Sequence, residues 1–392
     1  MAFSQRLPGA FYRRVQDGVR DGLVVAELDA LVSDDPEDVA YLTGFFHHPC
    51  ERPVAVWLDR DGACTLLLPR LEHDHALAQR AAAALVSYPE YPGVRPPFEA
   101  LAGAVSAGRG RLGVPSSITL ARLAALRAAF PAAEVVETGL VADARLRKHP
   151  EEVALHQEAG RITDLMLAAG RSLVEEAVAA GTELPSEAEL AAHVGSVGVG
   201  AMHAGHEDVV VVPMLAGGLV YAGANSALPH ALPSGYRPRP GDSFVLSLGC
   251  AVGGRFVEGE RTLFLGDPTA TQRRHYEVVR EAQQTGADAL RPGAPCADVN
   301  RACLQVIRSA GLGDHLRHRQ GHGIGLGMHE PPWLEDGDLT ALEPGMVVSD
   351  EPGIYVLGEA GFRISDSLLI TDDGARPFTS YPRRLDDVVI PM

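Results

Sequence analysis

Apolar and polar positions follow different periods along this chain, and the change of period divides it. Near the start, GLVVAELDALVS, PVAVWLD and CTLLLP are short apolar runs, as buried strands are. Between and after them come Ala/Leu-rich stretches such as HALAQRAAAALV, which suit helices. That order predicts a small α/β domain over residues 1–148. At RLRKHPEEVALHQEAG the pattern changes. Pro150 suits a first helical turn, Glu151 and Glu152 suit its positive end, and Val153, Ile162, Leu165, Met166, Ala169 and Leu173 form a helical stripe. Beyond it come DVVVVPM, a hairpin, helical runs near Thr271–Leu290 and Ala297–Ala310, a Gly/His-rich loop, and strands in GMVVSDEPGIYV and GFRISDSLLIT. Helices followed by hairpins predict an α+β domain with antiparallel pairing over residues 149–392.

The hairpin VLSLGCAVGGRFVEGERT carries the chemistry. Apolar residues flank Gly253-Gly254, where two strands meet at a tight turn. Period-two alternation puts Phe256, Glu258 and Glu260 on one strand face and turns Arg261 away from it. Carboxylates on an otherwise apolar strand are costly to bury without a positive partner. Three partners are open: a metal ion, an arginine such as Arg363, or a cationic substrate group.

Composition narrows the class. With 46% hydrophobic and 22% charged residues the chain is an ordinary globular protein, and its net charge of −17 argues against nucleic acid or anionic membrane as partner. Five cysteines without C-x-x-C spacing argue against a disulfide framework. The opening residues lack a signal-peptide core, and no later stretch is apolar enough to span a bilayer. The expectation is a cytoplasmic protein acting on a small molecule.

Several phrases together resemble the pita-bread superfamily of aminopeptidase P, prolidase, methionine aminopeptidase and creatinase. They are DPEDVAYLTGFF, LRKHPEEVALHQEAGRITD, ALPH, GDSFVLSLG, GERTLF, GHGIGLGMHEPP, LEPGMVVSDEPGIY and GFRISDSLLIT, spread over nearly the whole chain. The resemblance implies a creatinase-type N-terminal domain at 1–148 and a pita-bread catalytic domain at 149–392. In the metallopeptidases of this superfamily two Asp, one His and two Glu hold two metals. By position these are Ser247, Glu258, His322, Glu351 and Ser365, so two ligands are missing and a third is changed. Asp366 alternates away from Ser365 and does not replace it. The expectation is therefore a degenerate dinuclear site and no cofactor, with a single ion on Glu258, His322 and Glu351 as the alternative.

Creatinase is the superfamily's metal-free precedent, and ERTLF and GMVVS resemble its wording. Carried over, this makes His230 the proton carrier, with His322 and His329 beside it, since histidine titrates near working pH. Glu258, Glu260 and Glu351 would hold a guanidinium or amidinium, whose fork matches paired carboxylates. Arg363 is the internal rival for that role. The superfamily also implies a homodimer in which Phe46, His48 and Arg52 of FFHHPCERP overhang the partner's pocket. HAGHE, with His203, His206 and Glu207, has loose metal-like spacing but is expected to be loop. The leading expectation is a metal-independent hydrolase of a C–N bond in a small cationic substrate, with elimination as a variant of that chemistry. The alternatives are an Xaa-Pro aminopeptidase or dipeptidase with an atypical metal site, and a non-catalytic pita-bread binding protein.

Overall fold

The computed structural model describes residues 3–93, 95–105, 110–210 and 214–392. The chain divides into two compact units, one built on residues 6–145 and the other on residues 146–209 and 214–392, with residues 3–5 added to the second. The strand expected at DVVVVPM falls partly outside the described residues.

The N-terminal unit is a six-stranded mixed sheet. Its order is Ala84–Tyr88, Cys64–Pro69, Ala55–Asp59, Ala30–Ser33, Arg111–Val114 and Glu134–Glu137. The strands PVAVWLD and CTLLLP pair antiparallel, while the outer pairs are parallel, as strands joined through helices must be. Trp57 stacks on Phe130 in a core with Leu67, Phe98, Leu101 and Leu112. HALAQRAAAALV splits: the helix Arg70–Ala78 ends and Ala84–Tyr88 becomes a strand.

The C-terminal unit carries a nine-stranded sheet. Its central run is Gly321–Gly323, Val347–Asp350, Ser365–Thr371, Arg255–Leu265, Ser243–Val252 and Ala216–Ala222. The predicted hairpin is its middle. Gly253 and Gly254 have φ of 55° and 76°, the two positive values that a primed turn needs. The register sets Ser247 opposite Glu260 and Gly249 opposite Glu258. The helices Ala270–Ala289 and Cys296–Ser309 lie within a residue or so of their expected bounds.

The helix Pro150–Ala180 packs on the hairpin face opposite to Ser247 and Glu258. His149 and Glu152 form its capping box, and Glu152 also takes two hydrogen bonds from buried Arg255 on the hairpin, the shorter at 2.8 Å. Gly170 admits Leu246, whose Cδ1 lies 2.9 Å from where a Cβ would stand. The buried stripe is Leu155, Ile162, Met166 and Val174, whereas Leu165 is exposed. The helix turns its glycine face to the sheet, so the apolar stripe is rotated from the expected one. HAGHE is not loop either: His203 lies in the last turn of the helix Glu187–Gly205, and His206 is taken up by Gln5 and Glu158, each at 2.8 Å.

His156 is wholly buried between this helix and the hairpin, its Nδ1 2.9 Å from the Phe256 carbonyl. Burial, helped by Lys148 and Arg255, pushes its pKa down from 6.5 to about 3. The folded chain thus refuses a proton that the unfolded chain accepts, and stability falls as pH drops through that window, by up to about 1.4 kcal/mol per unit. His156→Gln should cost stability at pH 7 and progressively less toward pH 4. Urea midpoints of both proteins at several pH values check this; a constant gap would rule it out.

Candidate active site

Three side chains converge from three strands. His322 stands on Gly321–Gly323, Glu258 on the hairpin, and Glu351 just after Val347–Asp350. The His322 amide donates to Ser349 Oγ at 3.1 Å, and its ring Nδ1 lies 2.9 Å from the Gly323 carbonyl, which fixes the proton there. Nε2 is thereby aimed at the carboxylates, 3.3 Å from Glu351 Oε1 and 4.0 Å from Glu258 Oε2. It is buried without a well-aligned hydrogen bond. One donor atom from each of the three lies within 4.8 Å of the others.

The electrostatics reflect that crowding. Burial, then the neighbouring Glu351 carboxylate, pushes Glu258 up to about 8. Burial would also raise Glu351, but the close approach of His322, its Nε2 3.3 Å away, and the imidazolium charge hold it at about 2. For His322 burial acts downward and is outweighed by both glutamates, which lift it to about 9. Two carboxylates and an imidazole nitrogen facing one small space are the donor set of a hard or borderline divalent ion.

Glu260 is differently placed. It is 4% exposed and its Oε2 lies 2.6 Å from Nε of Arg363, itself 5% exposed. Ser247 donates a short hydrogen bond to Glu260 and accepts one from Arg363 Nη2 at 2.8 Å. Arg363 Nη1 reaches the Tyr355 hydroxyl at 3.3 Å. Ser365 donates to Glu258 Oε1 at 2.9 Å. Both serines therefore hold carboxylates. Glu260, expected to hold a substrate cation, already has its positive partner in Arg363. On the opposite sheet face Arg261 and Asp366 pair with each other at 2.8 Å, as alternation requires.

The donor set accommodates one divalent ion at Glu258, His322 and Glu351. It fits the two-ion arrangement less well, because the hydroxyls of Ser247 and Ser365 stand where that arrangement has carboxylates. A cavity of about 300 Å³ adjoins the site, with Glu258, Glu260 and Ser247 in one wall and Met214, Leu219, Phe256, Ile324 and Met328 around them.

The His329 ring lies 4.3 Å from that of His322 on an exposed turn, and burial of its ring, then the charge of His322, lowers its pKa. His230 is exposed on a turn close enough to influence His318 and His329. His318 and Tyr355, not expected from the sequence, are joined at 2.8 Å beside Arg363. Alternation through Glu351, Gly353 and Tyr355 was the available signal for the tyrosine. Phe46, His48 and Arg52 belong to the other unit. There Phe46 is buried and its backbone exchanges hydrogen bonds with Gln79, His48 is exposed, and Arg52 pairs with Glu51 and Glu90.

Residues 154–372 match the Metallopeptidase family M24, and residues 16–147 match the Creatinase/Prolidase N-terminal domain. The chain belongs to the M24 family, a hydrolase of the pita-bread fold. It is 32% identical over 94% of its length, and 93% of the relative's, to the probable dipeptidase PepE of Mycobacterium tuberculosis. It is 29% identical to the Xaa-Pro dipeptidase of Lactobacillus delbrueckii subsp. lactis, over 94% of this chain and 97% of that one. Among solved structures, the dipeptidase PepE of Mycobacterium ulcerans aligns with a TM-score of 0.84 at 29% identity, covering 99% and 100% of the two chains. The prolidase of Pyrococcus horikoshii OT3 aligns with a TM-score of 0.81 at 25% identity, covering 95% and 99%.

These matches correct the leading expectation. A metal-independent, creatinase-like hydrolase without cofactor is overturned by membership of a metallopeptidase family and by relatives named dipeptidase, Xaa-Pro dipeptidase and prolidase. The physical reason for the error is that Ser247 and Ser365 were weighed as lost ligands, while Glu258, His322 and Glu351 still converge on one point.

Replacing Arg363 should be costly, because it strands a buried carboxylate. Arg363→Met is expected to destabilise the fold by about 3–5 kcal/mol, and Glu260→Gln/Arg363→Met to recover most of that loss. Denaturant titrations of the wild type, both single variants and the double variant give the coupling. Additive single effects would rule the buried pair out.

Proposed function

We propose that this protein is an Xaa-Pro-type dipeptidase or aminopeptidase whose atypical site binds a divalent cation through Glu258, His322 and Glu351. The observation that carries it is the convergence of these three side chains, with His322 Nε2 buried and aimed at both carboxylates. When bound, such an ion lowers the pKa of a water from about 15.7 to roughly 7 and polarises the scissile carbonyl.

The chain's own residues do the rest. Ser365 orients Glu258, and the Gly323 carbonyl orients His322. His329, largely neutral beside His322, is the nearest imidazole for hydrogen-bonding the substrate carbonyl or returning a proton to the leaving nitrogen. His230, on its neighbouring turn, faces the same substrate from the outside. The apolar cavity beside Glu258 takes the hydrophobic part of a short peptide. Relatives named for Xaa-Pro dipeptides over almost the full chain support this substrate class.

A cytoplasmic homodimer is part of the same proposal. Free cysteines, three of them buried, suit a reducing compartment, and among the described residues no helix is long and apolar enough to cross a membrane. His48 and Arg52 are the N-terminal residues proposed to reach a partner's substrate. Light scattering should return twice the chain mass, and a fully active monomer would remove that role.

The enzymatic test is hydrolysis of dipeptides with an apolar first residue and proline second, assayed with added Mn²⁺ or Co²⁺. Activity should vanish on dialysis against chelator and return with metal. His322→Ala and Glu351→Gln should each lower kcat/KM by at least ~100-fold, the scale for losing one electrostatic stabiliser of the transition state. His329→Asn should lower kcat with metal content unchanged. Cleavage indifferent to chelator, or none with any Xaa-Pro dipeptide, would sink the proposal.

A further inference from the structure

We infer that Tyr221 is a positioning residue: its hydroxyl holds the crest of the loop formed by residues 223–235 and thereby sets His230 over the candidate active site. The inference rests on the proposed peptidase reading for what His230 does there, and on the structure alone for how it is held.

The loop has little structure of its own. After the short turn Gly223–Ala227 it runs to residue 235 without helix or strand. One side chain fastens both of its feet. Glu187, 1% exposed in the first turn of the helix Glu187–Gly205, accepts from the Ala222 amide at 2.7 Å and from Asn225 Nδ2 at 3.1 Å at one foot. At the other it accepts from the Ser234 amide at 2.9 Å and the Ser234 hydroxyl at 2.6 Å. Four donors offset the burial of that carboxylate. The crest between the feet is open to solvent. Leu228 is 52% and Leu232 81% exposed, and His230 is exposed between them. A segment with so few buried contacts opens readily unless something else holds it.

The support comes from beneath. Tyr221 stands on the strand Ala216–Ala222, opposite Val245 and two residues after Leu219, which lies opposite Ser247. Period-two alternation therefore puts Tyr221 on the sheet face of Ser247, the face of the candidate site. The residue is 2% exposed, and its hydroxyl donates to the Pro229 carbonyl at 2.6 Å, one residue before His230. Among the described residues it is the only side chain that hydrogen-bonds residues 228–232. The phenol also lies close enough to Arg363 to feel the guanidinium charge, and Arg363 is itself held by Glu260 at 2.6 Å. A hydroxyl has one proton and two lone pairs. Here the proton goes to the loop and the lone pairs are left to face the guanidinium. The crest is thus tied to the Glu260–Arg363 pair, and His230 is kept near the rings of His318 and His329.

Tyr221→Phe keeps the ring and removes only the hydroxyl. Hydrogen–deuterium exchange read by mass spectrometry, on wild type and variant each incubated with Mn²⁺, reports the loop without any substrate. Exchange in residues 228–235 should rise by roughly 3–10-fold, the scale of one hydrogen bond, while Ser243–Val252 keeps its wild-type rate. Hydrolysis of an Xaa-Pro dipeptide then reads the coupling to His230. Tyr221→Phe should lower kcat by a similar factor with bound metal unchanged, and should cost nothing further in a His230→Asn background. Unchanged exchange in the loop overturns the inference, as does a rise spread evenly over the strands. An unchanged kcat, or an additive loss in Tyr221→Phe/His230→Asn, overturns it equally. If the wild type cleaves no Xaa-Pro dipeptide, the peptidase reading falls, and the exchange result alone decides whether Tyr221 holds the loop.

Discussion

Three carboxylates, Glu260 buried and Glu258 and Glu351 half-buried, share the centre of the C-terminal unit, and the placement of positive charge around them organises everything near them. An ion taken out of water costs several kcal/mol unless a partner meets it with good geometry. Glu260 meets Arg363, and Glu351 meets His322. Glu258 has only the edge of His322 and a serine hydroxyl, and its pKa rises accordingly. Of the three, Glu258 is the carboxylate least compensated by the chain's own cations. The same device recurs on the other face of the hairpin, where Glu152 meets Arg255 and Asp366 meets Arg261. Paired ions thus pin the hairpin from both sides, and the helix Pro150–Ala180 is fastened to it at its first turn.

The scaffold is that of the M24 peptidases, and the departures from it form a pattern. Where the superfamily has ligands at two positions, this chain has hydroxyls that each donate to a glutamate. Of the three carboxylates, Glu260 is held by Arg363, while Glu258 and Glu351 face His322. On the proposed reading such a site offers a Lewis-acid position beside an apolar cavity with fewer carboxylates than a two-ion clamp uses. The expected consequence is a narrower chemistry on the same fold, since fold and reaction are separable.

Much of this was legible along the chain. Period-two alternation separated Glu258 and Glu260 from Arg261, and Ser365 from Asp366, and the structure keeps both separations. Gly253-Gly254 marked the turn, and Pro150 with Glu152 marked the long helix. His322 and Glu351 were found through GHGIG and EPG. What misled was the reading of Ser247 and Ser365 singly, as losses, which pointed to a metal-free hydrolase. HAGHE and the helix stripe failed for a related reason. Residues such as His206 and Leu165 take their environment from what packs against them, here Glu158 with Gln5 and the glycine face of the helix.

The sequence by itself determined the elements, the hairpin turn and the faces of the strands, because each follows from spacing within about a dozen residues, while Glu258, His322 and Glu351 followed from the resemblance of their phrases to the family. Only the tertiary structure decided which carboxylate meets which cation. Ser247 and Arg363 are 116 residues apart along the chain, and Ser365 and Glu258 are 107 apart. Their meeting depends on the order and register of strands in the sheet, in which Ser247 faces Glu260 and Glu260 faces Ser365. Coulomb and hydrogen-bond energies act over a few ångströms in space and are blind to sequence distance. A strand pattern states that a charge is buried; the sheet alone states what neutralises it.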